Sequence, residues 1–340
     1  MFRLPCSSRV RAPRFLWAMA AIAPLLLATV LPVEQVSAQA AYPSRPVRLV
    51  IPWPPGQATD LMARVTASKI TESWGQPFVP ENRAGAGGMI GTDLVAKAAP
   101  DGYTVLAAST GPFTTAPLVQ RTPYDVNKDF APVGQIGISP YVLIVRKDFP
   151  AQTAAEFVAR VRAEPGKYTY ATSGTGAAAH LITLMFLSRA KLQAVHVPFQ
   201  GSAPGLTAVT AGQVDFAIET LVATSALFRQ GAVRALGVSL KDGTELQPDL
   251  MPLARLPGVE GYDAGAFGGY MVPAATPRPI VERLAAEMEK ALATSDVKAR
   301  LAQIGFQPQF RNTADFTTFL ARHRDEFREV IQANNIKVDG

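Results

Sequence analysis

The chain has 340 residues, with 33 Lys and Arg against 27 Asp and Glu, for a formal charge of +6. Four arginines and one glutamate (Glu34) fall in the first forty residues, so without them the charge drops by four and rises by one to +3. The remainder has no basic run or basic–aromatic stripe, which argues against a nucleic-acid surface, and one cysteine with three scattered histidines supports neither a disulfide scaffold nor a metal site.

Arg3, Arg9, Arg11 and Arg14 precede an apolar run from Phe15 to Leu31, and Ala38-Gln-Ala40 is a small-residue cleavage motif. This pattern predicts a secretory signal peptide (1–40) cleaved after Ala40. An uncleaved membrane anchor is the rival reading, since the run nears the lower limit for spanning a bilayer, but Pro24 and the Ala-x-Ala site favour cleavage. With no adjacent arginine pair, the general secretory route to the periplasm is expected. Cys6 leaves with the leader, so the mature chain has neither a disulfide nor a lipid-anchoring cysteine. The mature length suits two α/β lobes better than one.

Leu49, Val50 and Ile51 read as a strand buried on both faces. Pro52, Pro54, Pro55 and Gly56 make a turn, and Thr59 or Asp60 is positioned to cap a helix running to Trp74. A second strand at Phe78–Asn82, the stretch Gly85-Ala-Gly-Gly88, a helix from about Gly91 to Ala98 and a strand at Tyr103–Ala107 follow, the last leading into a polar loop from Ser109 to Thr115. This βαβ alternation predicts mostly parallel sheets with helices on both faces.

Tyr141–Val145 reads as the first strand crossing into a second lobe. Thr153-Ala-Ala-Glu156 is a capping box for a helix to about Ala163. Strands at Tyr168–Thr172, Ala194–Val197, Val214–Glu219 and Val233–Val238 alternate with helices, and Gly268–Pro273 reads as the return strand. Val281, Leu284, Met288 and Leu292 keep helical spacing, Thr313 is expected to cap a final helix, and His323 on it is expected to be solvated. The lobes are thus expected at 41–143 with 270–340, and at 144–269, with hinges near Tyr141 and Tyr270.

Gly174-Thr-Gly-Ala-Ala-Ala179 fits G-x-G-x-x-A, yet His196–Gln200 lacks the acidic residue a dinucleotide fold needs at the next strand end. A Walker-type phosphate loop and a G-x-S-x-G elbow are both missing. Ser109, Ser173 and Ser202, with His180 or His196 as a base, are weak material for a hydrolase. What remains is four Gly/Ser/Thr-rich loops at strand ends: Pro55–Asp60, Ser109–Thr115, Ser173–Ala177 and Pro198–Ser202. Two come from each lobe, and open α/β sheets bind ligands at such ends, where helix N-termini attract anions.

The motifs Tyr42-Pro-Ser-Arg-Pro-Val-Arg-Leu-Val-Ile-Pro52, Pro54-Pro-Gly56 with Asp60, Glu81-Asn-Arg83 with Gly85-Ala-Gly-Gly88, and Pro100-Asp-Gly-Tyr103 are joined by Thr122-Pro-Tyr-Asp125 and Asp129-Phe-Ala-Pro-Val133. Pro165-Gly-Lys167, His196-Val-Pro198, Gly212-Gln-Val-Asp215 and Arg234-Ala-Leu236 complete a set in which the mature chain resembles the Bug-type substrate-binding proteins of tripartite tricarboxylate transporters. That resemblance implies a periplasmic, two-lobe Venus-flytrap fold, with two strands crossing between lobes. It implies a non-catalytic receptor, monomeric and without cofactor or metal, that captures a small organic carboxylate and presents it to a membrane permease of that type. A periplasmic enzyme or a ligand sensor on the same scaffold is the alternative.

Carried over, Gly56, Gln57, Ala58, Thr59 and Asp60 face Ser173, Gly174, Thr175, Gly176 and Ala177 across the cleft, with Ser109, Thr110, Gln200 and Gly201 lining it. Three departures bear on the ligand. Gln57 stands where the family usually has a second glycine, Ala177 where serine is common, and Phe199-Gln200 where Tyr-Lys is common. Losing a hydroxyl and a cation implies a ligand less anionic or more apolar than a tricarboxylate. Glu219, at a strand end, is a further candidate, repelling a carboxylate if it faces the ligand or meeting an amino group or water instead.

Overall fold

The computed structural model describes residues 42–334; the expected leader and its Ala40 junction lie outside them. The first lobe opens with β1 (Val47–Ile51), α1 (Ala58–Trp74), β2 (Phe78–Asn82), α2 (Met89–Ala96) and β3 (Thr104–Ser109). β1 pairs in parallel with β2 on one side and β3 on the other. Val47, Leu49, Val50 and Ile51 are fully buried, as a strand covered by helices on both faces requires. Gly75, at φ +65°, ends α1 by turning left-handed and donating its N–H to Thr71 O. After β3 the polar stretch expected to be a loop is instead a wide helical turn, Gly111–Thr115, continuing into the short α3 (Ala116–Val119). The turn is buried at Pro112, Phe113, Thr114 and Thr115, so packing overrides its local turn chemistry.

β4 (Phe130–Arg146) is a single 17-residue strand that belongs to both lobes. The second lobe then follows as α4 (Ala154–Ala163), β5 (Thr169–Thr172), α5 (Ala178–Arg189), β6 (Val195–Pro198), α6 (Ser202–Thr210), β7 (Phe216–Thr220), α7 (Leu221–Arg229) and β8 (Val233–Val238). The chain returns through β9 (Gly265–Pro273), α8 (Arg278–Ala293), α9 (Ser295–Gln303), β10 (Gln307–Arg311) and α10 (Thr313–Ala333). The first half of β4 pairs antiparallel with β9 and β10, and its second half with β7 and β8. The sheets are therefore parallel where βαβ units build them (β2-β1-β3 and β6-β5-β7) and antiparallel beside β4. This is a mixed α/β, two-lobe architecture. Separate apolar clusters fill the lobes, one around Leu49, Met62, Val105 and Met288, another around Leu143, Phe157, Phe186 and Phe216.

The two connections between lobes are pinned to each other. Tyr141 N–H donates to Ser239 Oγ at 2.9 Å, Ser239 N–H donates to Tyr141 O at 2.9 Å, and Ser239 Oγ–H donates to Ala264 O. Tyr141 thus stands at a crossing as expected. Tyr270 does not: it pairs with Ala107 and Gly134 inside the first sheet, and its hydroxyl bonds to Thr66.

Other local expectations change. Asn312, not Thr313, caps α10, accepting from Asp315 N–H at 3.0 Å, while Thr313 Oγ1–H donates to Val133 O at 2.8 Å. His323 is buried, at 3 % exposure, on the inner face of α10 between Phe319 and Phe327. Burial, and after it the charge of Arg322, drives its imidazole down to about 3. β10 was not foreseen, because Gln307-Pro-Gln-Phe-Arg311 alternates weakly and its proline fits only an edge strand.

Candidate functional site

Four helices begin at one cleft between the lobes, and none has a side-chain cap. α1 starts after Gln57, α5 after Ala177, α6 after Gly201 and α7 after Thr220, each without a side-chain hydrogen bond to its first turn. Side-chain caps occur on α4 and α10, from Thr153 and Asn312, and neither starts at this cleft; α2, α3, α8 and α9 also start without one, so it is the meeting of four such starts that marks the cleft. An uncapped start leaves backbone N–H groups seeking acceptors and concentrates the positive end of the helix dipole. The cleft encloses about 540 Å³ and is lined by Gln57, Ala58, Thr59, Ser109, Thr110, Ser173, Gly174, Thr175, Gly176, Ala177, Gly201 and Glu219 among the anticipated residues.

Three anticipated residues lie elsewhere. Gly56 is exposed outside the cleft at φ +85°, and its N–H donates to Asp60 Oδ2 at 2.8 Å. Asp60 does not cap α1 or reach the ligand space. At 1 % exposure it also accepts from Asn82 Nδ2 at 2.8 Å and pairs with Arg64 at 2.9 Å, which fixes the β1–α1 turn from beneath. Burial acts to raise its pKa, but the Gly56, Asn82 and Arg64 contacts outweigh it and hold the carboxyl below its ordinary value. Gln200 is exposed off the cleft, and Phe199 packs on Gly205 of α6.

Gly111, Thr115 and Ser202, from two of the expected loops, also line it, and the residues not anticipated are Trp53, Gly87, Ala116, Val119, Gln120, Tyr141, Ala178, Ala179, Thr220 and Ala266. Trp53 Nε1–H donates to Ser109 Oγ at 2.9 Å, setting the indole along the first-lobe wall. Thr110 Oγ1 accepts from Phe267 N–H at 3.0 Å, so its hydroxyl ties β3 to β9. Only the Ser/Thr/Gly loops carry a sequence signal for a site; Trp53, Val119 and Tyr141 look like ordinary core residues until the lobes are assembled.

The glycine loop before α5 is held from below. Gly174 (φ +132°) and Gly176 (φ +75°) take backbone angles that disfavour side chains, and Gly176 N–H donates to His180 Nδ1 at 3.1 Å. His180 stacks on His196 with ring centroids 3.9 Å apart. Burial, then the neighbouring His196, pushes His180 down to about 4, which keeps Nδ1 free to accept.

Glu219 is the last residue but one of β7, at 6 % exposure. Its Oε1 accepts from Thr220 N–H and its Oε2 from Ser202 Oγ–H, both at 2.8 Å. Burial raises its pKa above the ordinary value against the hydrogen bonds from Thr220, backbone and side chain, and from Ser202. Tyr141 is raised well above the phenol range by burial and then by the Glu219 charge, so it stays protonated as a donor. The lining contains no Lys, Arg, His or Cys, and its one carboxyl side chain is Glu219. Its chemistry is that of backbone N–H groups, hydroxyls and amides around a partly apolar space, with one carboxylate.

Residues 62–336 match the profile of the tripartite tricarboxylate transporter family receptor, TctC. The protein BugT of Bordetella pertussis is 33 % identical over 299 residues, 87 % of this chain and 91 % of that one. The structure of R. palustris Rpa4515 with adipate superposes with a TM-score of 0.75 at 32 % identity, covering 87 % of this chain and 99 % of that one. MatC from Rhodopseudomonas palustris, with bound malate, gives 0.71 at 32 % identity over 85 % of this chain and all of that one.

Proposed function

The chain belongs to the tripartite tricarboxylate transporter receptor family, and on that premise we propose that it captures a small organic carboxylate between its lobes and delivers it to a membrane permease of the tripartite tricarboxylate type. The observation that carries this reading is the meeting of four uncapped helix starts at one cleft that lacks cationic side chains. Relatives solved with adipate and with malate support a carboxylate as the ligand class. The expected leader and the family support a periplasmic location; among the described residues no helix is long and apolar enough to cross a membrane. It acts as a monomer and leaves its ligand chemically unchanged.

The moving bodies are the first lobe, which the chain re-enters at β9 (Gly265–Pro273), and the second lobe between Tyr141 and Ala264. Closure bends the two connections where Tyr141, Ser239 and Ala264 pin them together. The ligand carboxylate meets the α1 start from one lobe and the α5 start from the other, so only the closed form completes the anion site.

Thermal melting of the chain from Ala41 onward against a carboxylate panel tests this reading. A ligand at one hundred times its Kd adds about 2.7 kcal/mol to stability and raises the melting temperature. A raised melting temperature with one acid class, and unaltered ligand recovered afterwards, is the expected result. No shift with any carboxylate, or a chemically changed ligand, contradicts it.

A further inference from the structure

Three carboxylates are buried among the described residues: Asp60, Glu219 and Glu287. Asp60 is paired with Arg64 and Glu287 with Lys290. Glu219 is in none of the ion pairs, and both its hydrogen-bond donors are neutral. It is also the one charged side chain that lines the cleft. A carboxylate offers about four lone-pair sites, so acceptor capacity stays open after Thr220 and Ser202 are served. A buried charge without a counter-charge is expensive, and proteins pair such charges or place them where a partner arrives. The starts of α6 and α7 offset part of that cost but supply no full positive charge.

The two ends of the cleft therefore want opposite groups. The starts of α1 and α5, with Gln57 and Thr175 beside them, offer donors to an anion. Glu219 offers a desolvated acceptor, with the Tyr141 phenol nearby and the apolar surface of Trp53 and Val119 along the wall. A dicarboxylate would bring a second anion toward Glu219 with no lining cation to neutralise it. We propose that Glu219 is the specificity-determining residue of this receptor and that its ligand is an amino-carboxylate, with the cationic nitrogen at Glu219 and the carboxylate at the α1 and α5 starts. This rests on the receptor reading above and narrows its ligand class.

The test is calorimetric titration at pH 7 with sets matched in chain length: α- and ω-amino acids, the corresponding monocarboxylates and the corresponding dicarboxylates, including 6-aminohexanoate, hexanoate and adipate. The wild-type chain is expected to bind its best amino-carboxylate at least tenfold tighter than the matched dicarboxylate or monocarboxylate. In Glu219→Gln that preference over the dicarboxylate falls at least tenfold, while circular dichroism and the melting curve report an intact fold. Wild-type preference for dicarboxylates or plain monocarboxylates overturns the inference and leaves the receptor reading standing. Binding of no acid in any set overturns both. The wild-type comparison decides even if the Gln variant fails to fold, and Glu219→Asp, which keeps the charge, is expected to retain the amino preference.

Discussion

Asp60 and Glu219 are the same kind of group in the same kind of place: buried carboxylates beside a strand-to-helix turn, one in each lobe. Asp60 is surrounded by a cation, an amide and a backbone N–H, and its pKa is held down. Glu219 has two neutral donors and an open side toward the cleft, and its pKa is held up. The difference separates a carboxylate that the fold has satisfied from one that it has left for something else. On the proposed reading it also divides labour: the first-lobe turn presents backbone N–H groups, and the second-lobe turn presents the carboxylate that sorts ligands.

The largest effect expected from this contrast is on stability. Asp60→Ala leaves the Gly56 N–H and the Asn82 amide without their acceptor and costs about 2 kcal/mol in urea denaturation. Glu219→Gln should act in the opposite direction in the ligand-free chain, with no loss and a gain of up to about 1 kcal/mol at pH 7. The pH dependence follows from its raised pKa. Glu219's contribution is intact below the ordinary value of 4.5 and is lost as pH rises through the folded value, so the Gln variant's advantage vanishes near pH 4. A clear loss in the Gln variant at pH 7 would mean that Glu219 is a structural strut like Asp60. Asp60 has the reverse slope: its stabilisation is present above the unfolded value of 3.8 and disappears as acid titrates the folded carboxyl.

A smaller effect concerns the glycine loop. His180 accepts from Gly176 only while neutral, and its folded pKa near 4 lies below the ordinary 6.5. That contribution is complete above pH 6.5 and is lost progressively as pH falls toward 4. In His180→Phe the stability difference between pH 7 and pH 4 should shrink, and ligand affinity should weaken because the loop loses its support. Unchanged affinity would show that Gly174 and Gly176 hold their angles unaided.

Much of this was legible in the chain itself. Apolar runs at Leu49–Ile51, Leu106–Ala108 and Leu143–Val145, separated by Gly- and Pro-rich turns, announce strand–helix alternation because burial on both faces leaves little sequence ambiguity. The small-residue loops at Ser173–Ala177 and Ser109–Thr110 do reach the cleft, since strand ends in open sheets converge there. Asp60 was misjudged because an acidic residue near a helix start has two uses, and only the neighbouring Asn82, on another strand, decides between them. His323 was misjudged although Phe316, Leu320 and Phe327 mark the buried face of α10 at helical spacing that includes it. Trp53, Val119 and Tyr141 could not be separated from core residues, because their role depends on where β4 carries one lobe past the other.

The most direct test is an amide chemical-shift titration of the 15N-labelled chain with the acid that gives the largest melting shift. The account predicts that the strongest perturbations fall on the N–H groups of the first turns of α1 and α5, around Ala58–Thr59 and Ala177–Ala179, with a further cluster at Glu219–Thr220. Perturbations confined to another concavity, such as the one lined by Asp242, Glu245, Asp249 and Arg255, would contradict it.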